Sequence, residues 1–324
     1  YKKLSMQMLV LNRRETQVRT ETGKNAYERI VAHPLMHDVE QTLSVRAASF
    51  YLQTFFIYWF AHREYKKSFD YARRIVDTME NHQYLVQERP ENYINALQNM
   101  VTVSTMCFPL PRSLALIDRL KNFAERCPKV KFDAATHRKV PLFAYNLELH
   151  LLLEQGDLEK AATLLPDLTR LLEAQGLRYN VNEGYVLLDL RFKLARLHLL
   201  LGNFREALSF VNQILNQEGV SADYEVYLMT RILRVIILFE AGEYRLLEYA
   251  VISLYRFLRT RKKLFRFEKA LIQFIRKSSG LIPGEALRPL FRQLRDDLSS
   301  IIEDPAERHA LQQFDIIAWL DSKV

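Results

Sequence analysis

The chain has 324 residues, 49% of them hydrophobic and 26% charged, with a net charge of +8 at pH 7. That balance belongs to a soluble, folded protein with room for one large domain or two ordinary ones. Its 2 cysteines exclude a disulfide framework, and its 9 glycines and 10 prolines, without an Asn-Gly or Asp-Gly hairpin signal, argue for long helices joined by short turns rather than strands.

The first 38 residues read as an N-terminal arm or the end of an upstream element. Asn12 to Tyr27 is polar and reads as a loop or partly ordered arm. The chain begins at Tyr1 without a Met and runs directly into structured-looking sequence, so it reads as a piece of something longer, with no visible signal peptide. From Val39 onward, helical periodicity is almost continuous. The predicted helices pair as Val45–Phe60 with Tyr65–Glu80, Asn92–Cys107 with Arg112–Cys127, and Pro141–Gln155 with Leu158–Gln175. Tyr185–Leu201 with Phe204–Asn216 and Asp223–Ala241 with Tyr244–Arg259 follow. Leu264–Lys277, Pro283–Ile302 and Pro305 to about Trp319 form a basic C-terminal cap over 263–324, beyond a repeat region at 39–262. In the last helix Leu311, Phe314, Ile317 and Ala318 have helical spacing.

The turns fall near residues 63, 110, 156, 202 and 242, at intervals of about 47, 46, 46 and 40 residues. A recurring period of this size marks a solenoid of stacked hairpins, each too small to bury its apolar face alone. Three of the turns carry Gly156-Asp157-Leu158, Gly202-Asn203-Phe204 and Gly242-Glu243-Tyr244. Five residues after the first two glycines stand Ala161 and Ala207; Ser68 holds the matching place after Arg63, and Ala195 is a small residue within a first helix. A small side chain there lets the two helices of a pair approach closely.

These turns and small residues resemble the tetratricopeptide repeat, and also uncharacterised bacterial proteins with such arrays, over roughly residues 40 to 260. Leu247 departs from the small-residue pattern, and the repeats exceed the family's usual length of about 34 residues. The resemblance implies an all-α, right-handed α-α superhelix: a TPR-like solenoid of about five hairpins with C-terminal capping helices. It also implies a cytoplasmic scaffold or adaptor whose concave groove, lined by the first helix of each pair, holds a protein or peptide partner. Inward candidates mapped from the turns are Phe143, Asn146, His150, Asp189, Phe192 and Arg196. The alternative reading is that several of these pack against neighbouring repeats. The Asn- and Lys/Arg-rich clamp that some members use for a terminal carboxylate is not matched.

Catalysis has little support, and the chain reads as a non-enzyme with no cofactor. No nucleophile elbow, Walker loop or Gly-rich dinucleotide fingerprint occurs, and no carboxylate pair stands out as acid and base. His33 and His37 have the spacing of two metal ligands, but Pro34 lies between them and no third ligand is identifiable, so the reading is no metal site. Cys107 and Cys127 read as reduced core thiols, with a single bridge between them left open. The dense aromatic run from Phe50 to Phe60 reads as the core of the first hairpin rather than a groove. The most apolar stretch, Ala47 to Ala61, is about 15 residues, short of the roughly 20 that span a bilayer.

Charge is concentrated locally. Arg256 to Arg295 holds 12 Lys or Arg against Glu268 and Glu285, a net +10, so the rest of the chain sums to −2. Arg256, Arg259, Arg261, Lys262, Lys263 and Arg266 define a candidate basic face. Such a face attracts phosphates, acidic proteins or anionic lipid, or it is only a solvated helix end. Nucleic acid is the alternative partner; Tyr255, Phe257, Phe265 and Phe267 could stack on bases but read better as core.

Overall fold

The computed structural model describes residues 1–14, 21–173, 181–216, 225–260, 266–278, 288–302 and 316–321. These are helical, with no strand among the described residues. The chain divides into two compact units, Tyr1–Tyr179 and Asn180–Val324.

The N-terminal unit contains α1 (Lys2–Arg14), α2 (Glu21–Val31), α3 (Val45–Ala61), α4 (Tyr65–Asn81), α5 (Gln83–Glu88), α6 (Pro90–Cys107), α7 (Leu110–Lys121), α8 (Ala134–Glu154), α9 (Leu158–Thr163) and α10 (Leu165–Glu173). Helices α3, α6 and α8 are the first members of successive pairs. Their buried faces, with Leu52 and Ile57, Leu97 and Met100, and Val140 and Ala144, share one core with Val76 of α4 and Leu120 of α7. In the aromatic run of α3, Tyr51 and Phe56 are buried, and Phe55, Tyr58 and Phe60 pack against the same core. The run is therefore packing, as its helical spacing suggests.

Several boundaries differ from the sequence expectation, each for a local reason. The segment read as a loop at Asn12–Tyr27 contributes helix on both sides: α1 ends at Arg14 and α2 begins at Glu21, with 15–20 outside the described residues. Met8 and Tyr27 are fully buried and join these helices to the core. Helix α8 starts at Ala134 rather than Pro141, because the Asp133 carboxylate accepts from the Thr136 N–H (2.7 Å) and caps the helix a full two turns earlier. Pro141 then lies inside it. The expected helix Leu158–Gln175 is broken at Leu164, since Pro166 has no N–H to continue the ladder.

The C-terminal unit contains α11 (Val181–Leu200), α12 (Phe204–Leu215), α13 (Glu225–Glu240), α14 (Tyr244–Thr260), α15 (Arg266–Ser278), α16 (Arg288–Ile302) and α17 (Ile316–Asp321). Phe192 and Ala195 of α11, Ala207 and Val211 of α12, Ile232 and Ile236 of α13, and Leu247 and Leu254 of α14 belong to one core. The C-terminal helices join that core through Phe239, Phe274, Phe291 and Trp319, whose rings meet at 5.0–6.4 Å. The Trp319 indole N–H donates to Glu240 at 2.6 Å. Most of the expected last helix before Ile316, and the start expected at Pro283, lie outside the described residues.

Four of the five turns share one geometry. Gly156, Gly202 and Gly242 have φ of 70°, 76° and 70°, and Arg63 has 62°. At each, the N–H of that residue bonds three residues back and the next N–H bonds five residues back, as in Asp157 to the Leu152 carbonyl (3.0 Å) and Glu64 to that of Trp59 (2.9 Å). This double bond closes a helix through a left-handed residue. Glycine takes that conformation without strain; Arg63 takes it with strain. The small residues then do what their position implies. Ala161, Ala207 and Ser68 are fully buried, and the Ser68 hydroxyl donates to the Phe56 carbonyl of the partner helix at 3.0 Å.

Candidate partner-binding faces

On α8, Phe143, Asn146 and His150 stand at i, i+3 and i+7 and so share one helix face. Asn146 is only 8% exposed; Phe143 and His150 are half-buried, and Phe143 packs against the edge of the core. The opposite side of α8 is fastened to its neighbours. Lys121 of α7 pairs with Glu148 and lies 4.0 Å over the Tyr145 ring, while the Tyr145 hydroxyl donates to Asp167 of α10 at 3.1 Å. The Asn146 face is thus not the one that those contacts use.

On α11, Asp189, Phe192 and Arg196 have the same spacing, but they do not act alike. Phe192 is a core residue, so it is not exposed to a partner. The polar stripe is instead Asp189, Lys193 and Arg196, at i, i+4 and i+7. Lys193 Nζ lies 2.6 Å from the Asp189 carboxylate, with Lys193 at 9% and Arg196 at 6% exposure. Lys193 escaped the sequence reading although an Asp-x-x-x-Lys step on a helix is a recognisable signal.

The other strongly buried polar side chains among the described residues are hydroxyls: Ser5, Thr54, Ser68, Ser104, Ser113 and Thr230. Hydroxyls are cheap to bury because they bond back to a nearby carbonyl, as Thr54, Ser104 and Thr230 do. An amide and two cations are not cheap, since removing a charge from water costs several kcal/mol before pairing offsets it. Those three expensive groups, Asn146, Lys193 and Arg196, all lie on first helices of pairs.

The basic face is partly described. Arg256 and Arg259 of α14 and Arg266 of α15 are exposed, whereas Arg261, Lys262 and Lys263 lie outside the described residues. The exposed side of α14 also carries Leu246, Ile252 and Tyr249, the last at 73% exposure. Sequence reasoning counted the charges from Arg256 onward and missed this apolar stripe just before them. Phe257 is buried and Tyr255 packs against the core, with Arg231 4.5 Å over the Phe257 ring and Arg276 5.1 Å over Tyr255. Phe265 and the Phe267 side chain lie outside the described residues.

Among the described residues, titratable groups show no activated nucleophile. Burial pushes both thiols up, Cys107 and Cys127 alike, away from the reactive thiolate; both are free, and the Cys107 thiol donates to the Val103 carbonyl. Burial lowers the pKa of His198, whose ring stacks on Phe210 at 5.6 Å, with nearby Glu206 opposing the shift. Burial and the adjacent Glu80 carboxylate raise that of the Tyr93 phenol. His33 accepts from the Leu35 N–H through Nδ1, and His37 contacts the Ala32 carbonyl, so each ring serves the local turn. No cluster of three or more His, Cys, Asp or Glu suited to a metal occurs among the described residues, and no described helix is long and apolar enough to cross a membrane.

Fold and turns together define an all-α helical-repeat protein of tetratricopeptide-like architecture. No family model and no curated protein matches the chain. Among solved structures it is similar to the apo form of the quorum sensor NprR from B. thuringiensis. The two share 11% identity with a TM-score of 0.58, over 98% of this chain and 86% of that one. At that identity the likeness is one of fold.

Proposed function

We propose that this protein is a non-enzymatic helical-repeat adaptor that binds a peptide or protein partner through the recessed polar face of α11 in the C-terminal unit. The observation that carries the reading is the placement of Lys193 and Arg196, costly groups to bury, on the first helix of a pair. Recessed polar groups of this kind fix the orientation and identity of a bound chain. Asp189 and Lys193 offer one acceptor and one donor side by side, and Arg196 offers a planar fork suited to a carboxylate. The fold's likeness to a quorum sensor is in keeping with a scaffold that responds to a bound molecule. The exposed Arg256, Arg259 and Arg266, with Tyr249 and Ile252 just before them on α14, supply a second contact for an acidic protein surface.

Affinity capture from native cells, with and without nuclease, tests this when wild type is run beside Lys193→Met/Arg196→Met. Methionine keeps the aliphatic volume and removes the charge. The expected result is a nuclease-resistant protein or peptide partner, lost at least about tenfold in the variant, whose helical content and melting temperature stay close to wild type. Undiminished capture by the variant would remove the α11 face from the site. Capture that vanishes with nuclease, and with Arg256, Arg259 and Arg266 changed to Glu, would assign the protein to nucleic acid instead.

A further inference from the structure

A groove lies at the other end of the chain. Helices α1 and α2 diverge to leave a groove of about 690 Å³, lined by Lys3, Met6 and Val10 from α1 and by Arg29, Ile30 and His33 from α2. The inner sides of these helices are spent on the core through Met8 and Tyr27. Their outer sides carry exposed Lys2, Lys3, Gln7, Lys24, Asn25 and Arg29, and among these polar residues an apolar strip. Met6 is 51% exposed and Val10 46%, and they sit one turn apart on the same wall.

The rim is cationic on both walls, with Lys3 on α1 and Arg29 on α2. Neither has a carboxylate partner among the described residues, although the neighbouring Lys24 pairs with Glu28. His33 turns its Nδ1 to its own turn, accepting the Leu35 N–H at 3.2 Å.

We propose that this groove docks an acidic amphipathic helix of another protein. An apolar ridge at i, i+3 and i+7 of such a helix fits over Met6, Val10 and Ile30, and carboxylates flanking that ridge on both sides meet Lys3 and Arg29. Methionine suits the floor because its unbranched thioether adapts to the shape above it. A second copy of this chain is a poor occupant. A two-fold contact places the same patch on itself, bringing Lys3 and Arg29 against their own kind. A flat bilayer surface does not enter a cleft, and the apolar floor gives nucleic acid nothing to pair with.

The test is fluorescence anisotropy of the full 324-residue chain with a labelled helical probe of about 16 residues, long enough to hold a helix, carrying a Leu ridge flanked by Glu. Controls are the same peptide with Lys for Glu and a scrambled peptide of identical composition. The acidic helix binds; the basic and scrambled peptides bind at least about tenfold more weakly. Met6→Glu/Val10→Glu abolishes binding, and Lys3→Glu/Arg29→Glu transfers preference to the basic peptide. All four positions are at the surface, and circular dichroism checks that each variant folds. No binding of the acidic helix, or equal binding of all three peptides, overturns the proposal. Concentration-dependent dimerisation that Met6→Glu abolishes, without peptide binding, overturns it in favour of a second copy.

Discussion

In the N-terminal unit, Glu80 of α4 gathers the Tyr93 hydroxyl at 2.9 Å, Arg119 at 2.8 Å and Arg126 at 3.5 Å, so one carboxylate links α4 to α6, to α7 and to the turn after α7. In the C-terminal unit, Arg231 of α13 lies over the rings of Tyr227 and Phe257, with a long contact to Ser253 and no carboxylate partner among the described residues. The first arrangement fixes helices by neutralising charge where they meet. The second leaves cationic character on the surface and holds its helices through apolar and aromatic packing. Around Glu80 charge is spent on joining helices, whereas around Arg231 it is not.

The contrast can be broken most forcefully at Glu80. Glu80→Ala strands a buried phenol and the Arg119 guanidinium, and we expect a loss of about 3 kcal/mol in denaturant unfolding. Arg231→Met replaces a half-buried cation by an apolar side chain of similar reach; its cost should stay within about 1 kcal/mol. Equal costs at the two sites would erase the distinction between the units.

The turns allow a finer comparison. A Cβ added at Gly156 meets nothing within 4 Å, so Gly156→Ala pays only for its backbone, whose φ is 70°. That strain is worth about 1 kcal/mol of lost stability. Arg63→Gly runs the other way, relieving a left-handed arginine against the extra freedom of glycine in the unfolded chain, for a gain of about 0.5 kcal/mol. Thermal melts of the two variants should shift in opposite directions.

A smaller effect is confined to the C-terminal unit. Burial lowers the pKa of His198 below its ordinary 6.5, so the folded state holds it neutral while the unfolded state takes up a proton. Its contribution is fully present above about pH 6.5 and is lost as pH falls below that value toward the folded pKa. His198→Phe should flatten the stability profile in that acid window; an unchanged profile would exclude His198 as its cause.

The hairpins were legible because their turns announce themselves: glycine at a left-handed position and an alanine five residues on are local signals. The same geometry at Arg63 was found by spacing alone, since no sequence rule anticipates an arginine there. Helices α1 and α2 were missed because only contacts with the rest of the unit show Met8 and Tyr27 to be core. Pro141 misled because Asp133, two turns earlier, is the true cap. At the α11 face, Phe192 and Lys193 differ by a single 100° step, and counting from a turn does not resolve which of the two meets the core. Asp189, Lys193 and Arg196 form one polar stripe of that helix, whereas Phe192, grouped with Asp189 and Arg196 by spacing, packs in the core.

Hydrogen–deuterium exchange on the full chain, with and without the captured partner, tests the recognition surface most directly. Binding should slow exchange in α11 around Lys193 and Arg196, and the Lys193→Met/Arg196→Met variant should lose that protection. Protection confined to α14 and α15, or protection of α11 that survives the double substitution, would contradict it.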